Sequence, residues 1–172
     1  MRKSFIGALA LAVTIALTGC STGPVTPTVT DPWIKAIPSL SDGTATGVFM
    51  VINNPGSEAV QLTGATNDTA GLTSTPLEIH EVVMKDGAMV MQEVSGGINV
   101  PAKGSVTLKP GGYHVMYWDL KQPIPAGSTV KLTLNFSNGT KVPVTATAMT
   151  IANAQEKYSP SATPSPSMSM SH

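Results

Sequence analysis

The chain has 172 residues, of which 41% are hydrophobic and 12% are charged. Ten lysines and arginines balance ten aspartates and glutamates, so the formal net charge at pH 7 is zero. A chain without net charge or a long charged block has no field to recruit nucleic acid or an anionic membrane surface, which argues against both kinds of partner. Its length is sufficient for one domain with a sizeable core.

The N-terminus has the pattern of a bacterial lipoprotein signal. A basic start precedes an apolar run from Ile6 to Leu17, which is too short to span a membrane comfortably. The run ends in Leu-Thr-Gly-Cys, which resembles a lipobox, and Cys20 is the only cysteine in the chain. We expect residues 1–19 to be removed and Cys20 to be lipidated, which anchors the protein to the cell membrane outside the cytoplasm. An ordinary secretory signal that contains a cysteine is the alternative.

The rest of the chain divides by composition into a spacer, a domain and a tail. Residues 20–30 are rich in Pro and Thr and are expected to be a flexible spacer after the lipidated cysteine. Residues 157–172 are dominated by Ser, Pro and Met without periodicity and are expected to be disordered. Residues 31–156 between them are expected to form the folded domain.

Within this domain no window has convincing helical periodicity, and short β-rich runs alternate with Gly, Pro, Asn and Asp. The predicted strands are Gly47–Asn53, Ala59–Ala65, Glu78–Met84, Ala88–Val94, Ser105–Lys109, Tyr113–Asp119, Thr129–Phe136 and Lys141–Ala148. Strands of this number and spacing predict an all-β sandwich or a small barrel. Asn138-Gly139 predicts a hairpin between the last two strands with a type I′ turn, which needs positive φ at both central residues.

A second hairpin is predicted at Asp86-Gly87. With a two-residue loop, Val82 pairs with Met91 and His80 pairs with Glu93. Residues that are opposite or two apart share a face of a sheet, so His80 and Met91 become diagonal neighbours. A three-residue loop ending at Gly87 would shift this pairing, and the sequence leaves both registers open.

Each of the three histidines has methionine close by in the sequence. His80 is followed by Met84 and Met91, His114 by Met116 two residues later, and His172 ends a tail that contains Met168 and Met170. Thioether and imidazole ligands together favour Cu(I) over hard cations, which prefer oxygen. Period two places His114 and Met116 on one face of their strand. If this strand lies near the hairpin of His80, two imidazoles and two thioethers can form a compact soft-metal site.

These residues carry a resemblance to a known family. Leu77-Glu78-Ile79-His80, then Met91 after ten residues, then the segment from Lys109-Pro110-Gly111-Gly112 to His114-Val115-Met116, resembles the PCuAC family of extracytoplasmic copper chaperones. That family has the pattern His, ten residues, Met, about twenty-one residues, His-x-Met. Here twenty-two residues separate Met91 from His114, and we place the extra one in the loop Ser95-Gly96-Gly97.

The resemblance covers residues 33–148 and implies a cupredoxin-like antiparallel β-sandwich. It implies that His80, Met91, His114 and Met116 bind Cu(I) outside the cytoplasm. It also implies a copper-accepting partner, either a cytochrome c oxidase subunit or another assembly factor for its copper site. The tail resembles extensions that add a second copper-binding arm in some members. Met168, Met170 and His172 are therefore further candidate ligands, with Cu(II) as a further candidate cargo.

Two other functions are compatible with the sequence. A lipoprotein for copper sequestration and tolerance would use the same site without a dedicated acceptor. A lipoprotein scaffold or adhesion module would not bind metal, and its Met/His cluster would be incidental. We do not expect an enzyme, because no nucleophile, acid pair or cofactor-binding loop is visible. Glu78 is expected to be solvated, and Trp118 is expected to be a packing residue.

Overall fold

The computed structural model describes residues 24–151, so the predicted signal peptide, Cys20, and the tail with Met168, Met170 and His172 lie outside the described residues. The described part contains ten strands: β1 Thr28–Lys35, β2 Thr46–Asn53, β3 Val60–Asn67, β4 Glu78–Lys85, β5 Ala88–Glu93, β6 Ile98–Val100, β7 Ser105–Leu108, β8 His114–Tyr117, β9 Thr129–Phe136 and β10 Lys141–Met149. No helix within residues 24–151 is long and apolar enough to cross a membrane.

The strands follow the order β5-β4-β8-β2-β1-β10-β9-β3-β6, and β7 also pairs with β2. The described pairs are antiparallel apart from β1 with β10, which is parallel. Alternate side chains of β9 and β10 turn inward and pack against β2, β8 and β3 in one core, as a sheet folded over itself requires. The prediction of an all-β sandwich is confirmed.

Two of these strands were not predicted from the sequence. β6 has only three residues, which is too short for a pattern of alternation to be visible. β1 lies between β2 and β10, and its first three residues, 28–30, fall within the segment predicted as a spacer. This strand was not predicted because it contains Pro32 and because its composition, rich in Thr, resembles that of the preceding spacer. Its pairing with β2 shifts register between Thr30 and Trp33, which accommodates the proline and the positive φ of Asp31.

The hairpin between β9 and β10 is present, but its predicted type I′ turn is wrong. Lys141 pairs with Asn135, and the Phe136 N–H donates to the Thr140 carbonyl, so the loop has three residues, 137–139. Gly139 has a φ of 81°, whereas Asn138 is not among the described residues with positive φ. A three-residue loop that ends in a left-handed glycine satisfies the hairpin with one positive φ instead of two.

The hairpin between β4 and β5 has the two-residue turn. Asp86 and Gly87 both have positive φ, at 52° and 81°, as a type I′ turn requires. The observed pairs include His80 with Glu93 and Val82 with Met91, which is the register predicted for the two-residue loop. Strand β5 is exposed along its whole length and forms the edge of the sheet.

The Pro-Gly-Gly segment interrupts what would otherwise be one long strand. Leu108 at the end of β7 pairs with Met50 of β2, and Val115 of β8 pairs with Val48, so Lys109–Tyr113 bulge out of the sheet. Gly111, with a φ of 74°, follows Pro110 in a tight turn closed by a bond from the Gly112 N–H to the Lys109 carbonyl. Pro then Gly with positive φ is the signature of a type II turn. This bulge returns the chain to the sheet at His114.

Candidate metal centre

The two core histidines face each other across a strand pair. His80 on β4 is directly opposite His114 on β8, and Glu78 is directly opposite Met116. These four side chains project from one face of the sheet, because residues opposite each other and two apart share a face. We call it the histidine face. The intervening residues Ile79 and Val115 point the other way, into the core.

Aromatic side chains continue the histidine face on both sides of the imidazoles. The Phe49 ring on β2 lies 6.1 Å from the His114 ring, and the Trp33 ring on β1 lies 4.4 Å from that of Phe49. On the other side the Trp118 ring meets the His80 ring edge-on at 5.8 Å, the same separation as between the two imidazole rings. His80 and His114 are each only 6% exposed as a result.

The two predicted thioethers enter this cluster from different directions. Met116 lies two residues after His114 on β8 and is buried, with 8% of its surface exposed. Met91 comes from the edge strand β5 and remains 41% exposed, yet its Sδ lies 3.3 Å from Nε2 of His114. The structure therefore brings the four predicted site residues onto one face, with Met91 between the imidazoles and solvent.

The His114 imidazole has a fixed tautomer. Its Nδ1 lies 3.0 Å from the Gly112 carbonyl oxygen, and since a carbonyl can only accept, Nδ1 carries the proton and donates. The turn of the Pro-Gly-Gly bulge supplies this carbonyl. In the neutral ring Nε2 then has a lone pair, and this nitrogen is the one that faces Met91.

The His80 imidazole is oriented by a carboxylate. Its Nε2 lies 2.8 Å from Oε2 of Glu78, and the indole N–H of Trp118 donates to the same oxygen at 2.8 Å. A carboxylate accepts, so Nε2–H donates and the lone pair of the neutral ring is on Nδ1. That Nδ1 is buried and has no hydrogen-bond partner among residues 24–151. A buried polar atom left without a partner is the kind of group that a bound metal ion satisfies.

Glu78 and Trp118 are further candidate site residues that the sequence pattern did not identify as such. Glu78 was expected to be solvated, and its side chain is 40% exposed, but its carboxylate also accepts hydrogen bonds from His80 and Trp118. Trp118 was expected to be a packing residue, and its ring does pack against His80. The signal was present in the period-two pattern, since Glu78 is two residues before His80 and Trp118 is two residues after Met116. Side chains at those positions share a face with the predicted ligands.

The electrostatics of the site favour a neutral His114 imidazole and a charged Glu78 carboxylate. Hydrogen bonds from His80 and Trp118 hold the pKa of Glu78 below its usual value of 4.5. Burial, reinforced by the neighbouring His80, lowers the pKa of His114 below 6.5, against an opposing effect of its bond to Gly112. At neutral pH the His114 nitrogen that faces Met91 is therefore a lone-pair donor.

The histidine face offers sulfur beside its two imidazoles. Within residues 24–151, no three His, Cys, Asp or Glu side chains are grouped closely enough to hold a metal ion. The sulfurs of Met91 and Met116 are the further soft ligands that the histidine face offers to a metal ion. Thioether sulfur selects soft ions and is a poor ligand for Mg²⁺ or Ca²⁺.

Comparisons with known proteins agree with this architecture. Residues 27–148 match the protein family described as "Putative lipoprotein LpqE-like". The chain is 35% identical over 158 residues to "Putative lipoprotein Lxx21020" of Leifsonia xyli, an alignment that covers 86% of this chain and 90% of the relative.

Among solved structures, the copper-bound PCuAC domain from PmoF2 aligns with a TM-score of 0.57 at 23% identity, over 73% of this chain and 95% of the domain. The solution structure of apo-DR1885 from Deinococcus radiodurans aligns with a TM-score of 0.53 at 25% identity, over 87% of this chain and 97% of that protein. The expected cupredoxin-like β-sandwich of the PCuAC type is confirmed.

The burial of His114 predicts the pH range in which it takes up a proton. In the metal-free protein its imidazole should titrate below 6.5, because the imidazolium would be formed in a desolvated position. The unfolded chain takes up this proton first, so stability should fall as pH decreases below about 6.5 and through the lowered folded pKa. Proton NMR of the imidazole resonances during a pH titration measures the midpoint. A midpoint for His114 at or above 6.5 would contradict the burial seen here.

Proposed function

The chain belongs to the LpqE-like lipoprotein family, and from this premise and the geometry of the histidine face we propose that it is a membrane-anchored copper chaperone. In this proposal His80, Met91, His114 and Met116 bind one Cu(I) ion outside the cytoplasm. The protein then passes the ion to a copper-accepting protein. It carries out binding and transfer without chemical turnover.

One observation carries the proposal. Nε2 of His114 and Sδ of Met91 lie 3.3 Å apart, and in the neutral tautomer neither atom carries a hydrogen. Two lone-pair atoms at this distance do not stabilise each other, whereas a soft cation bound between them would stabilise both. With bonds of about 2.0 Å to nitrogen and about 2.3 Å to sulfur, as at zinc sites, this separation corresponds to an angle of about 100° at the metal. That angle is close to tetrahedral.

The remaining two ligands come from the same face. His80 is directly opposite His114, and its buried Nδ1 offers a second nitrogen lone pair. Met116 contributes the second sulfur from the position two residues after His114. Glu78 acts as a positioning residue, because its carboxylate holds the His80 Nε2–H and so leaves Nδ1 for the ion.

The chemistry of this ligand set suits a carrier of Cu(I). The four ligands are two imidazoles and two thioethers, and residues 24–151 contain no cysteine whose thiolate could form a blue-copper electron-transfer centre. Met91 lies on an exposed edge strand, so one ligand can be replaced from the solvent side while the buried ligands still hold the ion. An ion held in this way can pass to an acceptor with stronger ligands by ligand exchange.

The proposal also includes the acceptor of the copper ion and the lipid that anchors the protein to the membrane. We assign the acceptor to the assembly of the cytochrome c oxidase copper site, as either an oxidase subunit or another assembly factor. Residues 1–19 are the signal peptide, and the lipid on Cys20 with a short spacer holds the domain at the membrane. The folded domain then begins before residue 31, because β1 starts at Thr28 within the segment predicted as a spacer. Met168, Met170 and His172 form a secondary copper-binding arm, which also accepts Cu(II).

Removal of core ligands should abolish tight copper binding. We expect the full-length protein in detergent to bind one equivalent of Cu(I) tightly in competition with a chromophoric chelator. His80→Ala combined with Met116→Ala should lose this binding, because one imidazole and one buried thioether are removed. The matched control is Met168→Ala with Met170→Ala and His172→Ala, which should retain it. The reverse pattern would move the principal site to the tail, and no binding by the unmodified protein would overturn the copper function.

Loss of the carboxylate behind His80 should weaken binding without removing a ligand. Glu78→Ala frees the His80 ring, and outer partners of metal-bound histidines are typically worth about 10-fold to 100-fold in affinity. Glu81→Ala is the control, since Glu81 lies on the same strand with its side chain on the opposite face, where it bonds to Gln92. The same chelator competition measures both variants. Equal affinities for the two variants would contradict the positioning role of Glu78.

A further inference from the structure

Methionines are unusually exposed at the tip of the β4–β5 hairpin. Met84 and Met89 are 68% and 66% exposed, and Met91 is a third exposed methionine of the same hairpin. Neither of the first two belongs to the hydrophobic core, so the usual role of methionine as a filler of core gaps does not apply to them. Their placement needs another explanation.

The three thioethers lie on the same face of the hairpin as the proposed copper ligands. Met84 is directly opposite Met89, and Met91 is directly opposite Val82, one step nearer to His80. Directly opposite residues have Cβ atoms about 4.5–5.5 Å apart, and diagonal ones remain within reach of long side chains. Met84, Met89 and Met91 therefore form a continuous set of sulfur ligands, which we call the methionine track.

The inner end of the track contacts the buried site. Met91 Sδ lies 3.3 Å from His114 Nε2. Met89 leans from the hairpin toward the Pro-Gly-Gly bulge, where a methyl group on the Cα of Gly111 would lie only 3.8 Å from its Cε. Gly111 is three residues before His114. Met89 and Met91 thus both reach across β4 toward the strand that carries the histidine.

We propose that Met84 and Met89, with Met91, form a second and weaker Cu(I) site through which the ion enters and leaves the histidine face. This inference rests on the proposed function of that face. Each step is a ligand exchange: a bond from copper to one sulfur forms as another breaks, the oxidation state stays Cu(I), and no proton moves. Met91 belongs to both sites and is the ligand that the ion keeps as it passes between them.

Two features of the track fit transfer better than storage. Three neutral thioethers without an imidazole hold Cu(I) less firmly than the set on the histidine face, so the ion is not trapped at the surface. The track also ends on an exposed edge strand at the tip of a two-residue turn, where an acceptor has free access. The route thus runs from a weak exposed site to a strong buried one.

The site itself is tested with Ag(I), a soft ion that does not change oxidation state under these conditions. The full-length chain in detergent is labelled at its methionine methyl groups and carries Met168→Ala, Met170→Ala and His172→Ala, which remove the tail ligands. The first equivalent of Ag(I) should shift the Met91 and Met116 signals, and further Ag(I) should shift those of Met84 and Met89. Unchanged Met84 and Met89 signals after the core is filled would overturn the inference and leave the proposed function intact. Shifts at Met84 and Met89 with none at Met116 would contradict the proposed function instead.

The role in transfer is tested by kinetics with Cu(I) and a chromophoric chelator as acceptor. Met84→Leu with Met89→Leu keeps the size and apolar character of the patch but removes both sulfurs. We expect release of Cu(I) to slow several-fold while the equilibrium affinity of the core site is unchanged. Val83→Leu with Val90→Leu, a cross-strand pair on the opposite face of the same hairpin, is the control and should release copper at the original rate. Equal rates in the methionine variant and the control would overturn the role of the track.

Discussion

The direct pairing of His80 with His114 across β4 and β8 is the constraint on which the site depends. Side chains alternate between the two faces of a sheet, so a slip of one residue would move one imidazole into the core. Ile79 and Val115 prevent this slip, because they are buried on the core side and are themselves opposite each other. Packing of ordinary aliphatic residues in the core thus determines where the two imidazoles meet.

The same strands also explain why the histidines are shielded from solvent while an exposed sulfur lies beside them. Phe49 and Trp118 cover the imidazoles from either side, and Met91 closes the cluster from an edge strand without being buried itself. Burial keeps the pKa of His114 low, so its ring remains a lone-pair donor at neutral pH. The exposed sulfur allows exchange with solvent-side ligands. Under the proposed function, buried ligands would hold the soft ion while the one exposed ligand is replaced during release.

Much of this arrangement was predictable from the sequence, and the exceptions have physical causes. Period two and the Asp86-Gly87 turn limited the β4–β5 hairpin to two registers, and the structure has the one with the two-residue loop, in which both turn residues adopt positive φ. The meeting of His80 with His114 was not predictable from the residues alone, because β4 and β8 are distant in the chain and strand order is decided by the whole core. β1 was missed because its pairing with β2 and β10 is a tertiary effect that its Pro and Thr composition obscures. The hydrogen bonds of Glu78 were not predictable, because a glutamate on a strand does not reveal its partners until His80 and Trp118 are placed.

The coordination of the bound ion tests the central claim most directly. X-ray absorption at the copper edge should be recorded on the full-length protein loaded with one equivalent of Cu(I) under reducing conditions. The account predicts mixed coordination, with about two nitrogens near 2.0 Å and about two sulfurs near 2.3 Å, by analogy with bond lengths at zinc sites. Coordination by nitrogen and oxygen with no sulfur would contradict it, because the methionines would then have no part in holding the ion.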